Sequence, residues 1–446
     1  MKDINIIYIH SHDTGRYIQP YGYAMDTPNL MTLAEEGVLF RKAFCASPTC
    51  SPSRAALLTG QCAHSSGMVG LAQEGYGSRL KDYKQHIVHT LKENGYHTAL
   101  SGVQHEVKDA TEIGYDELHV DHFGRRIVQT AQEFLGRKHD KPFFLSVGFS
   151  ETHRIYNPPW NNTTPSEKDD LRFVRPPEFL PDTPITRKDF SAFKTSVRVL
   201  DGYMGQVFTA SKDNNLEEST LIICTTDHGI PFPAAKCTLY DAGTGVMLMM
   251  KGPGGFTGGK VIDAMVSHMD VFPTVCEIIG IKKPVWLQGK SIIPLVTGTK
   301  ENLHKHIFTE INYHAGYEPT RAVRTNRYKY IRRYSEHKLG SSYHCDGSLS
   351  KKLWEDNGWR QIINNDEELY DLIFDPNERN NIVDRPETKD VADGLRKSLY
   401  EWMEETNDPL LKGKVPKPEY GYKMLDDLNK NNKEHMEFEY ENLIVE

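Results

Sequence analysis

The sequence predicts an α/β protein of alkaline-phosphatase-like type. It should contain a large, mostly parallel central sheet flanked by helices and a smaller C-terminal antiparallel sheet with a helix. Two observations predict this class: apolar strands alternate with helical stretches up to about residue 305, and the pattern changes to hairpins after it. Alternating strands and helices favour a parallel sheet that is covered on both faces. The active site of such a sheet lies at the carboxyl ends of its strands.

The predicted strands of the large sheet are short apolar runs rich in β-branched and aromatic residues. They cover residues 4–10, 97–101, 142–149, 220–226 and 245–250. The predicted helices between them cover residues 28–36, 85–94, 124–136, 186–212 and 270–279. The first helix begins at Pro28 and stops at Gly37, which is the usual asymmetry of helix ends.

The chain after residue 305 is predicted to form a second unit, so we divide the protein into residues 1–305 and 306–446. The expected elements are a hairpin within 321–331, a strand at 368–373 and a helix at 388–405. The tail from Asp408 is charged and weakly periodic. It either wraps the surface or meets a neighbouring subunit of a homo-oligomer.

Composition and charge exclude several classes of protein. The 446 residues carry a formal net charge of −8, which disfavours a nucleic-acid partner. No apolar run is long enough to span a bilayer, and the chain begins with a core-like strand rather than a signal peptide. We therefore expect a cytoplasmic protein with no membrane partner. The seven cysteines lack a CxxC pair, which argues against a disulfide framework or a structural zinc site.

The most specific motif is Cys50-Ser-Pro-Ser-Arg54, which opens a predicted helix ending at Gly60. Backbone N–H groups and the positive end of the helix dipole favour an anion at this position. Arg54 lies one helical turn after Cys50 and adds a fixed positive charge on the same side. A buried structural cysteine would explain Cys50 taken alone, but the whole pattern at a helix entrance favours a reactive site.

Two further motifs follow strand ends and pair a carboxylate with an imidazole. His12-Asp13 follows the first strand, and Asp227-His228 follows the strand at 220–226. Together they offer two oxygen and two nitrogen ligands for a divalent cation. A hydrogen-bonded loop aspartate would explain either pair alone. Two pairs at equivalent places on one sheet, with the Cys50 motif, predict a metal site.

His105, His153 and Lys236 are the remaining candidates. His105 and His153 follow strand ends, and Lys236 comes nine residues after Asp227. A single histidine or lysine is more often a surface or structural residue. Because the carboxyl ends of parallel strands meet at one edge of a sheet, we expect these side chains to converge on one pocket.

These motifs resemble those of the type I sulfatases of the alkaline phosphatase superfamily. The likeness rests on Cys-x-Pro-x-Arg, the early aspartate and the late Asp-His-Gly, and it runs along nearly the whole chain. Within that family the sequence is most similar to the heparan N-sulfatases (sulfamidases, N-sulfoglucosamine sulfohydrolases). The shared runs include Pro181-Asp-Thr-Pro, Asp227-His-Gly-Ile-Pro-Phe-Pro and Glu405-Thr-Asn-Asp-Pro.

The resemblance implies a mechanism and a set of partners. A maturation enzyme would oxidise Cys50 to Cα-formylglycine, whose hydrate attacks sulfur with one hydroxyl and later uses the other to expel sulfate. The metal, calcium in the family, would be held by His12, Asp13, the group at Cys50, Asp227 and His228. His105 matches the histidine that assists sulfate release, while His153 and Lys236 match positions that bind sulfate and protonate the leaving group. The implied substrate is a small sulfated carbohydrate, either N-sulfoglucosamine or an O-sulfated glucosamine-like sugar.

The sequence departs from the family pattern at two places. The family has two adjacent aspartates in the first loop, but here the first is His12, and His228 stands where sulfamidases have asparagine. Two imidazoles would favour manganese or zinc over calcium, unless His12 turns away from the metal. The family also places a lysine two residues before His105, where this chain has Val103. Lys108 or a residue from elsewhere would then have to replace it.

Three other interpretations compete with a sulfatase. A phosphonate or phosphate-ester hydrolase of the same superfamily can share formylglycine and the Asp-His metal pair. A non-catalytic binding protein on a decayed scaffold is disfavoured because the candidate residues are retained together. A plain Cys-His thiol hydrolase leaves the Asp-His pairs unexplained.

Overall fold

The computed structural model of the protein describes residues 4–72, 77–154, 169–336, 338 and 342–418. In this part of the chain, nine strands form one mixed, mostly parallel sheet and four strands form a separate antiparallel sheet. The fold class predicted from the sequence is therefore confirmed.

The large sheet is parallel through its centre and mixed at one side. Its strands are β1 (Asn5–Ser11), β2 (Val38–Phe44), β3 (His97–Gly102), β4 (Glu117–His119), β5 (Phe143–Gly148), β6 (Thr220–Thr226), β7 (Gly245–Val246), β8 (Leu248–Lys251) and β9 (Lys260–Ser267). They run in the order β4-β3-β5-β1-β6-β8-β2, and β2 also pairs with β7 and β9. Strands β4 to β6 along this order are all parallel, whereas β8 is antiparallel to both of its neighbours.

Helices cover both faces of the large sheet. The helices of the chain are α1 (Pro28–Glu36), α2 (Cys50–Thr59), α3 (Ala63–Ser66), α4 (Ile87–Glu93), α5 (Gly124–Leu135), α6 (Pro184–Asp213), α7 (Asp241–Thr244), α8 (Val271–Ile279), α9 (Ile293–Val296), α10 (Leu349–Asp356) and α11 (Lys389–Glu405). Ile7 and Ile9 of β1 pack with apolar side chains of α1, α5 and α6. Ile6 and Tyr8 pack with those of α2, α4 and α8. Successive side chains of a strand point to opposite faces, so β1 contributes to both cores.

The prediction of one strand at 245–250 is wrong in one respect, because Met247 interrupts it. The Met247 N–H donates to the Gly15 carbonyl at 2.9 Å, and its carbonyl accepts from the Thr225 hydroxyl at 2.6 Å. These bonds draw the Met247 backbone towards the loop after β1 and divide the run into β7 and β8. The other predicted strands and helices of this sheet are present within a few residues of their expected ends.

The second sheet follows the large one in the chain. Its strands are β10 (Ile307–Tyr313), β11 (Tyr317–Arg324), β12 (Tyr328–Arg333) and β13 (Glu367–Asp371), paired in that order. Val323 and Tyr330 pack against Leu395 and Trp402 of α11. The predicted hairpin and closing helix are thus confirmed. The division into residues 1–305 and 306–446 stays a prediction, and the tail from residue 419 lies outside the described residues.

A buried charge network joins the two sheets. His64 of α3 lies with its Nδ1 atom 2.9 Å from Oε1 of Glu310 on β10. Arg321 of β11 donates to both carboxylate oxygens of Asp408 and lies 3.4 Å from Glu310. All four side chains are buried, so this network fixes the second sheet against the first.

Among the described residues, none of the helices is both long enough and apolar enough to cross a membrane.

Candidate active site

The two Asp-His motifs lie side by side because their strands are neighbours. β1 and β6 are parallel, and their pairing ends with Ser11 opposite Thr226. The residues that follow therefore leave the same edge of the sheet. The Asp13 N–H donates to Oδ1 of Asp227 at 2.8 Å, and Asp13 adopts a positive φ of 52°. Aspartate tolerates this left-handed conformation better than most residues, and such strain is typical of functional loops.

Cys50 lies at the start of α2 and faces these loops. Thr49 before it is extended, and Gly60 ends the helix in the left-handed conformation, as the sequence predicts. The Cys50 Sγ atom lies 3.4 Å from Nε2 of His228 and is buried. Burial raises the pKa of the Cys50 thiol well above its usual range. The unmodified side chain is therefore a protonated, poor nucleophile.

One ring nitrogen of His228 is bonded to the backbone, and the other faces the two aspartates. Nδ1 of His228 lies 3.0 Å from the Gly229 carbonyl, which can only accept, so Nδ1 carries the proton. The other ring nitrogen, Nε2, lies 3.3 Å from Oδ1 of Asp13 and 3.7 Å from Oδ2 of Asp227. Oδ1 of Asp13 is buried and accepts no hydrogen bond. Nε2 of His228 and the carboxylates of Asp13 and Asp227 could therefore bind one cation, with Cys50 beside it.

Arg54 fixes the carboxylate of Asp227. Its Nη2 donates to Oδ2 of Asp227 at 3.1 Å and to the Ser11 carbonyl at 3.0 Å, and the guanidinium is almost fully buried. Burial alone would raise the pKa of Asp227. The neighbouring His228 and Arg54 outweigh that effect and hold this pKa well below its usual range. Asp227 is therefore ionised, as a metal ligand must be.

The His12 side chain faces the Asp227 carboxylate and does not turn away from the predicted metal site. Its Nδ1 lies 3.2 Å from Oδ2 of Asp227, and its side chain is buried. Ligand atoms of His12, Asp13, Cys50 and His153 all lie within 4.8 Å of one another. A second group, Asp13, Cys50, Asp227 and His228, meets the same limit. The two groups share Asp13 and Cys50, so every predicted metal ligand belongs to one continuous cluster.

The structure also brings the two other predicted histidines to this cluster. The ring centres of His105 and His153 lie 5.8 and 5.3 Å from that of His12. Burial, with the charge of Arg54 second, lowers the pKa of His105 to about 3. His105 is therefore a neutral imidazole that can accept a proton.

Lys236 bridges Asp13 of this cluster and a residue that the sequence did not point to. Its Nζ donates to Oδ2 of Asp13 at 3.0 Å and to Oδ2 of Asp346 at 2.9 Å. Burial would lower the pKa of Lys236, but Asp13 and Asp346 raise it well above its usual range. The loop holds this lysine through two residues with positive φ, Ala234 and Cys237.

Asp346 and His314 are the site residues that sequence reasoning missed. Asp346 lies in the irregular segment before α10, and His314 follows β10. His314 is buried, and its pKa is lowered well below the usual value by burial and by the charge of Lys236. Neither residue belongs to a recognisable motif, and the only sequence signal was an isolated aspartate and an isolated histidine.

Three residues close to predicted positions have other surroundings. Val103, where the family has lysine, is a buried apolar side chain, and Lys108 is exposed. Arg154, next to His153, makes a two-pronged ion pair with Asp189 of α6 at 2.8 and 2.9 Å. Arg154 thus anchors the loop that carries His153.

Comparison with known proteins agrees with this geometry. Residues 4–281 match the sulfatase family, and residues 234–364 match the family described as N-sulphoglucosamine sulphohydrolase, C-terminal. Human N-sulphoglucosamine sulphohydrolase is 29% identical over 86% of this chain and 87% of its own length.

Solved structures show the same fold. A 2-O GAG sulfatase superposes with a TM-score of 0.71 and 21% identity, over 94% of this chain and 97% of its own. A protein in complex with its substrate D-glucosamine-2-N,6-O-disulfate superposes with a TM-score of 0.69 and 19% identity, over 91% and 98%. The fold is thus the alkaline-phosphatase-like fold of sulfatases. Because the sulfatase match also spans more than half of the sequence, the chain belongs to the sulfatase family, whose members hydrolyse sulfate esters or sulfamates.

Proposed function

We propose that this sulfatase removes the N-sulfate group of glucosamine from a small sulfated carbohydrate. It would use formylglycine made from Cys50 and one divalent metal ion. The observation that carries the proposal is the cluster at Cys50, in which Asp13, Asp227 and His228 offer ligand atoms within 4.8 Å of one another. The sugar is inferred from the human relative and from residues 234–364, which match an N-sulphoglucosamine sulphohydrolase family and include Lys236.

The metal ligands in this proposal are Asp13, Asp227, His228 and His12. A divalent cation held there would stabilise negative charge on the attacking oxygen and on the sulfuryl group. The family resemblance implies calcium, but two imidazoles favour manganese or zinc. The position of His228 Nε2 beside the Asp13 carboxylate and the unsatisfied Oδ1 of Asp13 support a ligand role for both residues.

The remaining side chains would bind the sulfate group and transfer protons. Lys236, held protonated between two carboxylates, would donate a hydrogen bond to the sulfate group from its third N–H. His153, beside His12, would donate a proton to the leaving group. His105, a neutral base, would accept the proton of the second formylglycine hydroxyl, so that sulfate leaves and the aldehyde re-forms.

The proposal also includes a partner and a location. Formylglycine requires a maturation enzyme that acts on the segment around Cys50. The cytoplasmic location and the homo-oligomer expected from the sequence stay predictions. A cytoplasmic enzyme would meet imported mono- or disaccharides rather than polymers.

Two measurements test the proposal. A mass spectrum of the peptide containing Cys50 should show the aldehyde in place of the thiol. Sulfate release should then be measured from N-sulfoglucosamine, glucosamine 6-O-sulfate, an aryl sulfate and, as a phosphate-type control, a phosphonate monoester. We expect N-sulfoglucosamine to have the highest kcat/KM. An unmodified thiol in fully active enzyme would overturn the formylglycine assignment, and preferential cleavage of the phosphonate would replace the sulfatase proposal by the phosphonate hydrolase.

A further inference from the structure

We propose that Asp346 makes this site prefer a sulfamate to a sulfate ester, by accepting a hydrogen bond from the bridging N–H of the substrate. This inference rests on the proposed function, since it concerns the choice of substrate at the same site. It assigns a specificity role to a residue of the C-terminal unit, outside the Cys50 motif and the metal cluster.

The first argument is position. Oδ2 of Asp346 lies 2.9 Å from Nζ of Lys236, whose other partner is Asp13 of the metal cluster. The Lys236 side chain is only 2% exposed, whereas that of Asp346 is 24% exposed. Asp346 therefore lies on the open side of the Lys236 ammonium group, where an entering substrate can reach its carboxylate.

The second argument is charge. Burial would raise the pKa of Asp346, but the ammonium group of Lys236, which donates to it at 2.9 Å, outweighs burial and lowers this pKa. Asp346 is thus an ionised carboxylate, which accepts hydrogen bonds but donates none. Asp13 alone would neutralise Lys236. A second carboxylate makes the approach of an anionic sulfate group less favourable. The salt bridge with Lys236 therefore does not explain why Asp346 is present at this site.

The third argument is the chemistry of the bridging atom. A sulfamate carries hydrogen on its bridging nitrogen, whereas the bridging oxygen of a sulfate ester carries only lone pairs. A carboxylate beside this atom attracts the N–H and repels the oxygen. Lys236, proposed to act on the sulfate, donates to both Asp346 and Asp13, and a ring nitrogen of His153, proposed to act on the leaving group, lies within 4.8 Å of the Asp13 carboxylate. The carboxylate is therefore on the side of the site where the leaving atom is expected.

The Asp346 carboxylate would also interact favourably with the product nitrogen after the S–N bond breaks. The S–N bond breaks as sulfur bonds to the formylglycine oxygen, and the electron pair stays on nitrogen. Nitrogen takes one proton from His153 to become an amine and a second proton from water to become an ammonium group. Asp346 attracts this cation, whereas the alcohol released from a sulfate ester is neutral.

The test compares Asp346→Asn with the wild type on two substrates, N-sulfoglucosamine and glucosamine 6-O-sulfate. The kcat/KM for the N-sulfate should fall, because its bridging N–H loses a charged acceptor, whereas the value for the O-sulfate should not fall, because the carboxylate that repels its bridging oxygen is gone. The ratio of the N-sulfate to the O-sulfate value should fall at least about tenfold, the effect of one hydrogen bond to a charged group. Asp366→Asn is the matched control: Asp366 pairs with Lys338 on the surface, and the ratio should not change.

The outcomes separate this inference from the proposed function. A wild type that cleaves the N-sulfate, with a ratio unchanged in Asp346→Asn, overturns the specificity role alone. A wild type that cleaves only sulfate esters overturns both. If the variant does not fold, inhibition of the wild type by two sugars tests the same idea. Glucosamine should inhibit hydrolysis at least about tenfold more strongly than glucose. Equal inhibition by the two sugars would overturn the inference.

Discussion

Replacing Glu310 with glutamine should destabilise the protein strongly, because Glu310 is the buried acceptor that holds the two sheets together. Its carboxylate accepts from the backbone N–H of His64 at 3.1 Å, from Nδ1 of His64 at 2.9 Å and from Asn312 at 2.9 Å. Arg321 lies 3.4 Å away. The side chain is fully buried, so no water replaces a lost partner.

Two routes give the same magnitude. Breaking a buried ion pair by neutralising one partner costs about 3–5 kcal/mol. Burial lowers the pKa of His64, but Glu310 and Cys62 outweigh it and raise this pKa from 6.5 to about 10. That change corresponds to about 5 kcal/mol at about 1.4 kcal/mol per tenfold change in proton affinity. We therefore expect Glu310→Gln to lower the free energy of unfolding by about 3–5 kcal/mol at pH 6.

The pKa of His64 also predicts how the loss of stability should change with pH. Because the folded pKa of His64 is above its unfolded value, the stabilisation is complete below pH 6.5 and is lost as the pH rises through about 10. The glutamine variant lacks the charge that raises this pKa. The difference in stability between wild type and variant should therefore be largest at pH 6 and should shrink towards pH 10.

Urea unfolding followed by fluorescence, at several pH values between 6 and 10, measures this difference. Glu36→Gln is the control, because Glu36 pairs with Lys251 at 2.6 Å but is 49% exposed, and such pairs contribute at most about 1 kcal/mol. A loss below about 1 kcal/mol in Glu310→Gln at pH 6, or a loss that does not vary with pH, would refute the reasoning.

Further predictions concern the cluster at Cys50. Cys50→Ala should lose essentially all turnover, and Cys50→Ser should also be nearly inactive while trapping a covalent sulfate ester visible by intact mass; near-normal turnover of the serine variant would contradict the formylglycine mechanism. Asp227→Ala should lose bound metal in elemental analysis, and undiminished occupancy would remove Asp227 from the ligand set. If both His12 and His228 bind the metal, manganese or zinc should reactivate chelated enzyme better than calcium, and the reverse order would contradict two imidazole ligands. His105→Ala should slow sulfate release more than attack, so a burst should precede slow turnover; an equal loss of both phases would contradict this role.

The cluster could be predicted from the sequence because each part is local. His12-Asp13 and Asp227-His228 directly follow apolar strands, and a parallel pairing of β1 and β6 is enough to bring them together. Cys50 opens a helix whose Gly60 end is recognisable by itself. The strands β2 and β9 were missed because they pair with each other at one side of the sheet and are partly exposed. Their apolar pattern is therefore interrupted, at Arg41 and Lys42 in β2 and over the first half of β9.

Asp346 could not be predicted because its position depends on contacts between distant parts of the chain. It follows an irregular segment, and 110 residues separate it from Lys236. Ser348 caps α10 two residues after Asp346, but a helix cap by itself does not point to the site around Lys236. Only the docking of the second sheet, together with the loop that places Lys236 between Asp13 and Asp346, shows that this aspartate belongs to the site.

The position of Asp346 indicates that the two sheets contribute to different properties of the site. The large sheet supplies the nucleophile position and every proposed metal ligand, so the reaction needs only this sheet and its loops. The chain after β9 supplies His314, which follows β10, and Asp346, which accepts a hydrogen bond from the same Lys236 ammonium group that donates to Asp13. The buried Glu310 network fixes that second sheet, and hence the start of the His314 loop, against α3. Selectivity for the bridging atom should therefore be more sensitive than sulfate-ester cleavage itself to changes that loosen this contact.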